Sequence, residues 1–194
     1  MKTLGQLLIC CSLFVLAACE TPVTVPHYAN ITFSHRPTIA LDVAEIRIVE
    51  AYEESVALPH VETEFPVRPM EMAAQWARDR LQAVGTSGEL VFTIRDARVI
   101  EVPLETSGGV SGLVTVDQAE RYEARLIVEL SATNPSRGIN ASANTRVERQ
   151  RTVAEDVTLN EREGIWYNMV GNMAADLDPQ LEGAIEQYFA SFRR

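Results

Sequence analysis

Lysine is nearly missing from this chain: Lys2 is the only one, and the other sixteen basic residues are arginine. That pattern is read as composition bias rather than as selection for bidentate contacts. Cations of either kind are outnumbered, 17 against 27 Asp plus Glu, for a formal charge of −10. The acidic balance argues against general nucleic-acid binding, which runs on cationic surface. Cysteine is confined to Cys10, Cys11 and Cys19, so the rest of the chain has no disulfide and no thiol for catalysis or metal. The three histidines are His27, His35 and His60, and none shares a spaced motif with another ligand. That excludes the familiar zinc patterns and a histidine-based dyad. The longest uncharged apolar run, Leu4–Leu16, is too short and wrongly flanked for a stable membrane span.

That run has another reading. Met1-Lys2 is a short positive start, Leu4–Leu16 is the apolar stretch, and Leu16-Ala17-Ala18 supplies small residues before a cut. Cys19 directly after Leu-Ala-Ala resembles the lipobox of bacterial lipoproteins. The resemblance implies a diacylglyceryl group on the Cys19 thiol, cleavage after Ala18 and acylation of the new amine. Residues 1–18 are thus expected to be a cleaved signal peptide, and Cys10 and Cys11 leave with it. Residues 19–36 are expected to form the lipidated anchor and a flexible tether, on the strength of Pro22, Pro26 and the absence of helical period. Glu20 is not the Asp that tends to retain lipoproteins at the inner membrane, which favours the periplasmic leaflet of the outer membrane. The mature chain would carry 176 residues, sixteen Arg and 27 acids, a balance of −11 that weighs against an electrostatic hold on anionic headgroups.

Residues 37–194 read as one α+β domain. Ile39, Leu41 and Val43 alternate, then Ile46 and Ile48 continue in the other phase, predicting a strand over 38–50 with a bulge near Ala44. Pro69 opens a helix over 69–84 with Met70, Ala73, Ala77, Leu81 and Val84 at helical spacing and Gly85 as its cap. A strand runs from Leu90, is interrupted around Asp96–Arg98 and resumes through Ile100 and Val102. Tyr122, Ala124, Leu126, Val128 and Leu130 alternate with charged residues, marking a strand with one buried and one wet face. Asn134–Gly138 turns the chain into a return strand with small inward residues, Ala141, Ala143 and Thr145. Thr158-Leu159-Asn160-Glu161 is a capping box. The helical period after it passes Asp178-Pro179, compatible with one kinked helix or two end to end. The expected architecture is an antiparallel four-stranded sheet in β-α-β-β-β-α order, with the helices packed on one face.

Three stretches carry a wider resemblance: Trp76–Leu81, Asp117–Tyr122 and Asp156–Glu163. Together they resemble a family of proteobacterial envelope lipoproteins without an assigned activity. In element order the domain is similar to small auxiliary lipoproteins of ABC-type envelope transport and of lipopolysaccharide assembly. The lipobox, the lack of catalytic groups and the domain pattern together lead to the expectation of a non-enzymatic accessory or scaffold module that binds a protein partner.

Candidate site residues follow from what is left. Three glycines fall within Gly108–Gly112, beside Val110, Leu113, Val114 and Val116 on an uncharged segment, a possible partner-contact loop. Arg146, Arg149 and Arg151 form a possible anion or partner face, or, with Glu148 and Glu155 nearby, a salt-bridged outer face. Ser111 lies in a glycine context that departs from a nucleophile elbow and reads as loop. Glu53, Glu54, Glu62, Glu64 and Glu101 read as a solvated acidic face, and Asp96 as a bulge with a local ion pair. No catalytic residue, metal ligand or cofactor is expected, and no nucleic acid. The expected partners are the membrane, through lipidated Cys19, and an envelope protein. A lipid or small ligand held between sheet and helices is the alternative.

Overall fold

The computed structural model describes residues 27–105 and 118–194, and of Gln118 only the backbone. Cys19 and the glycine-rich segment with Val110, Leu113, Val114 and Val116 lie outside them. Among the described residues, seven strands and two long helices follow in the order β1 (Ile39–Leu41), β2 (Glu45–Glu50), α1 (Pro69–Arg80), β3 (Leu81–Ala83), β4 (Glu89–Asp96), β5 (Val99–Pro103), β6 (Gln118–Asn134), β7 (Ile139–Ala154) and α2 (Leu159–Tyr188). The fold is α+β with mixed sheets, not the antiparallel four-stranded sheet expected. β2 pairs with β4 in parallel, and β4, β5 and β7 all pair antiparallel with β6. The parallel pair has a simple cause. α1 separates β2 from β4, and a helical crossover brings the chain back to the end of the sheet from which it left.

β4 and β5 are two halves of the interrupted strand. Both lie on the same side of β6, β4 against its second half and β5 against its first, with a register shift after Ile94. Asp96 makes the expected local contacts: its carboxylate accepts the Arg98 N–H at 3.2 Å and pairs with the Arg98 guanidinium at 3.6 Å. The strand expected over 38–50 also breaks, but its halves enter different sheets. β1 pairs in parallel with β3, and the Asp42 N–H donates to the Phe192 carbonyl at 2.6 Å.

That pairing shortens α1. Helical spacing predicts a helix to residue 84, yet Leu81 is extended (φ −98°, ψ 134°) and Leu81–Ala83 form β3. Backbone pairing with β1 overrides the local propensity. Gly85 is therefore not a helix cap. A Cβ there would stand 2.6 Å from the Asp42 carbonyl carbon, so glycine allows two backbone segments to touch.

α2 is one continuous helix of 30 residues with Pro179 inside it. The Thr158 hydroxyl accepts the Glu161 N–H while the Glu161 carboxylate accepts the Thr158 N–H, the expected capping box. Both helices cover the same sheet face. Trp76 of α1 stacks on Phe92 of β4 at 5.9 Å, and Trp166 of α2 meets Tyr122 of β6 edge-on at 5.4 Å and Phe65 face-on at 4.8 Å. These rings, with Leu90, Ile94, Leu126, Leu130, Met173 and Leu177, are buried and fill the layer between sheet and helices.

Candidate functional site

The alternation of a strand decides what the three candidate arginines can do. Along β7 the odd-numbered residues face the helices: Thr145, Val147 and Val153 are buried. Arg149 and Arg151 share that side, whereas Arg146 points to the open side. One common anion face is therefore not formed. Arg146 pairs with Glu148, which also accepts from Arg125 Nε at 2.9 Å. Hydrogen bonds from Arg146 and then Arg125 hold the Glu148 carboxyl below its ordinary range. Arg149 instead reaches across to Asp176 of α2. Arg151 is exposed and, among the described residues, has no ion pair.

Between β7 and α2 these two arginines open on a groove of about 230 Å³, lined also by Ile165, Asn168, Met169 and Asn172. Asn168, Asn172 and Asp176 repeat at i, i+4, so one stripe of α2 faces the groove with amides and a carboxylate, flanked by two apolar side chains. The periodicity was visible in the sequence; its partner strand was not. Among the described strands β7 pairs only with β6, which leaves its other backbone edge open beside the groove. Guanidinium groups suited to carboxylates, amides and an open edge together suit an extended, acidic polypeptide.

Among the described residues the opposite face of the sheet carries no helix. Its charges are matched across and along strands, as in Arg95–Glu129 at 2.7 Å and Arg121–Glu123 at 2.7 Å. Exposed pairs of this kind contribute little to stability and neutralise the face. His60 sits at its rim, bridged to Ile100 of β5. Among the described residues no three His, Cys, Asp or Glu side chains are placed to hold a metal ion.

Among the described residues two carboxylates are buried, and the sequence did not distinguish them from surface acids. Glu62, expected on a solvated face, is fully buried. Its carboxylate accepts the Tyr52 hydroxyl at 2.7 Å, the Ser55 N–H at 3.2 Å and the Val99 N–H at 3.1 Å. Burial acts to raise its pKa, but the bonds from Tyr52 and from the backbone N–H groups of Glu62, Val99 and Ser55 outweigh burial and lower it. Burial, then the bond to Glu62, pushes the Tyr52 hydroxyl up. The result ties the β2–α1 connection to the start of β5, and His60, whose Nδ1 lies 3.4 Å from the Glu62 carboxylate, lines a groove of about 350 Å³ with Arg98, Ile100 and Arg125.

Asp178 is the second. Its Oδ1 accepts from Trp76 Nε1 and from Arg80 Nε, each at 2.9 Å, and its Oδ2 pairs with Arg36 at 2.9 Å. Arg80 is fully buried and also reaches Glu182 at 2.9 Å and the Pro37 carbonyl. Asp178, where the sequence was compatible with one kinked helix or two, lies inside the single α2 and joins α1, α2 and the segment before β1. That segment, expected as the last part of a flexible tether, touches the domain through Tyr28, Ile31 and Phe33, while the residues between them are exposed. Phe33 is 4% exposed, and its N–H donates to the Asp79 carboxylate at 2.7 Å.

No family model and no curated protein matches the chain. Among solved structures it is similar to rare lipoprotein B from Shewanella oneidensis, at 12% identity and TM-score 0.40 over 74% of this chain and 95% of that one. A minor lipoprotein from Acinetobacter baumannii superposes with TM-score 0.36 at 10% identity, over 74% of this chain and 94% of that one. A Xanthomonas campestris protein reaches 0.32 at 8% identity, over 78% and 90%. At these values the likenesses carry no argument about family or function.

Proposed function

We propose that this chain is a lipid-anchored envelope protein that binds another protein and has no catalytic role. The observation that carries the reading is Leu16-Ala17-Ala18-Cys19 behind a short apolar run, a sequence with a lipid-attachment cysteine where a signal peptide ends. Among the described residues no helix is long and apolar enough to cross a membrane; the membrane hold we assign is the lipid on Cys19. Several acyl chains on one residue, at about 0.8 kcal/mol per buried CH₂, make such an anchor durable. The periplasmic leaflet of the outer membrane is the proposed site, and envelope transport or assembly the proposed process.

The contact surface we assign is the β7–α2 groove with Arg149 and Arg151, rather than the closed charge ladders of the open face. The segment with Val110, Leu113, Val114 and Val116 is a second candidate. A ligand between sheet and helices is disfavoured, because stacked aromatic and aliphatic side chains occupy that layer.

Mass spectrometry of the mature N-terminus tests the anchor: a triacylated Cys19 is expected, and an unmodified Cys19 ends the reading. Affinity capture from gently solubilised membranes tests the rest. One stoichiometric partner is expected, lost on Arg149→Glu/Arg151→Glu. Its loss on deleting 107–116 alone would move the contact to the glycine-rich segment, and recovery of monomer only would overturn the partner role.

A further inference from the structure

The chain enters the domain alongside α2. The Tyr28 hydroxyl donates to the Asn160 carbonyl at 3.2 Å, and its ring lies 5.1 Å from that of Tyr167, in the first turns of the helix. Eight residues later Arg36 pairs with Asp178 and Glu182, at 2.9 and 3.2 Å, in its sixth and seventh turns. Eight extended residues span about 27 Å, and the helix from Asn160 to Glu182 about 33 Å. Residues 28–36 are thus a strap lying lengthwise on α2, fastened at its middle by buried Phe33 and at its far end by the Arg36 ion pairs.

The strap moves the point at which a leash from Cys19 meets the domain. With the strap undone, the leash would run nineteen residues to Thr38 and join beside Glu182. With it docked, the leash is nine residues long and joins at the first turn of α2. Nine residues reach at most about 30 Å.

We infer that the strap sets which end of the domain faces the lipid bilayer. The end holding Ala154 and Leu159, where β7 stops and α2 starts, is kept near the lipid, and the β6–β7 turn at Asn134–Gly138 stands away from it. The length of β7 puts the turn about 50 Å from Ala154. Proximity is enforced by the leash and not by adhesion, because Glu155, Asp156 and Glu161 at the near end would be repelled by anionic headgroups. The inference rests on the lipid anchor at Cys19.

The test uses the full mature lipoprotein in phosphatidylcholine vesicles carrying a headgroup-labelled acceptor lipid. After processing Cys19 is acylated and is the only native cysteine, so Glu155→Cys and Asn140→Cys, both exposed, each accept one donor dye. Energy transfer several-fold stronger from position 155 than from 140 is expected. Adding Phe33→Asp with Arg36→Ala should release the strap and reverse or abolish the difference; if that variant unfolds, the two labels in the intact protein decide. Equal or reversed transfer from vesicle-bound protein overturns the orientation and leaves the anchor standing. Protein that leaves the vesicles with an unmodified Cys19 overturns both.

Discussion

Arg80 and Asp178 meet in the core at 2.9 Å, one from each helix, and the same carboxylate oxygen also accepts the Trp76 indole N–H. Arg80 has no exposure to water, so removing its counter-charge leaves a buried cation without its main partner. Asp178→Ala is expected to lower stability by about 3–5 kcal/mol. Arg80→Met combined with Asp178→Leu should cost less than Asp178→Ala alone, because no charge is then stranded. Urea unfolding of the three proteins makes the comparison, and a double variant worse than the single would refute the account.

Glycines in the two halves of the molecule should respond with opposite sign. Gly85→Ala forces a methyl group against the backbone of Asp42 and Val43 and is expected to cost about 1–3 kcal/mol. Gly183 lies in α2 with open space around its Cα, so Gly183→Ala should gain about 0.4–1 kcal/mol from a less flexible unfolded chain. Denaturation midpoints of the two variants should move in opposite directions.

Acid should unlock the loop before α1. The Glu62 carboxyl is held below its ordinary 4.5 in the folded protein, so the folded state binds the proton less well than the unfolded chain. Its contribution is complete above about pH 4.5 and is lost as pH falls through the lower folded value. Stability measured against pH should therefore fall below pH 4.5, and the fall should be shallower in Glu62→Gln. At neutral pH that variant should be less stable by about 1–3 kcal/mol, because an amide N–H then faces donors. A slope unchanged by the substitution would show that other acids govern acid denaturation.

Arg151 offers a cleaner probe of the groove than its neighbour. Arg149 pairs with Asp176, whereas Arg151 is exposed with no ion pair among the described residues, so Arg151→Glu should leave stability within about 0.5 kcal/mol. Capture of the envelope partner should nevertheless weaken on the order of tenfold. Arg125→Glu, on the open face, is the matched control and should not affect capture.

Much of the local structure was legible in the residues. The alternation through Tyr122–Leu130 and the small inward residues of Ala141–Thr145 placed β6 and β7. Thr158 and Glu161 announced the start of α2, because a cap depends on side chains three residues apart. The slip of phase near Ala44 and the Asp96–Arg98 interruption also appeared, since each is a local change of period. The end of α1 did not appear, because Leu81–Ala83 are helical by spacing and become a strand only on meeting β1. Arg146, Arg149 and Arg151 look like one cluster in the chain, and the pleat of β7 sends them to two faces.

By itself the sequence determined the apolar run ending in Leu-Ala-Ala-Cys, the acidic balance, and the positions of most strands and both helices. These are properties of neighbours along the chain, and no partner from elsewhere is needed to see them. The tertiary structure decided the parallel pairing of β2 with β4, the burial of Glu62, Arg80 and Asp178, and the path of residues 28–36 along α2. Each of these depends on a group far away in sequence, Val99 for Glu62, Asn160 for Tyr28, and Asp178 for Arg36 and Arg80 alike. An acid or an arginine carries the same charge inside or outside, and only the fold determines whether a counter-charge will meet it there.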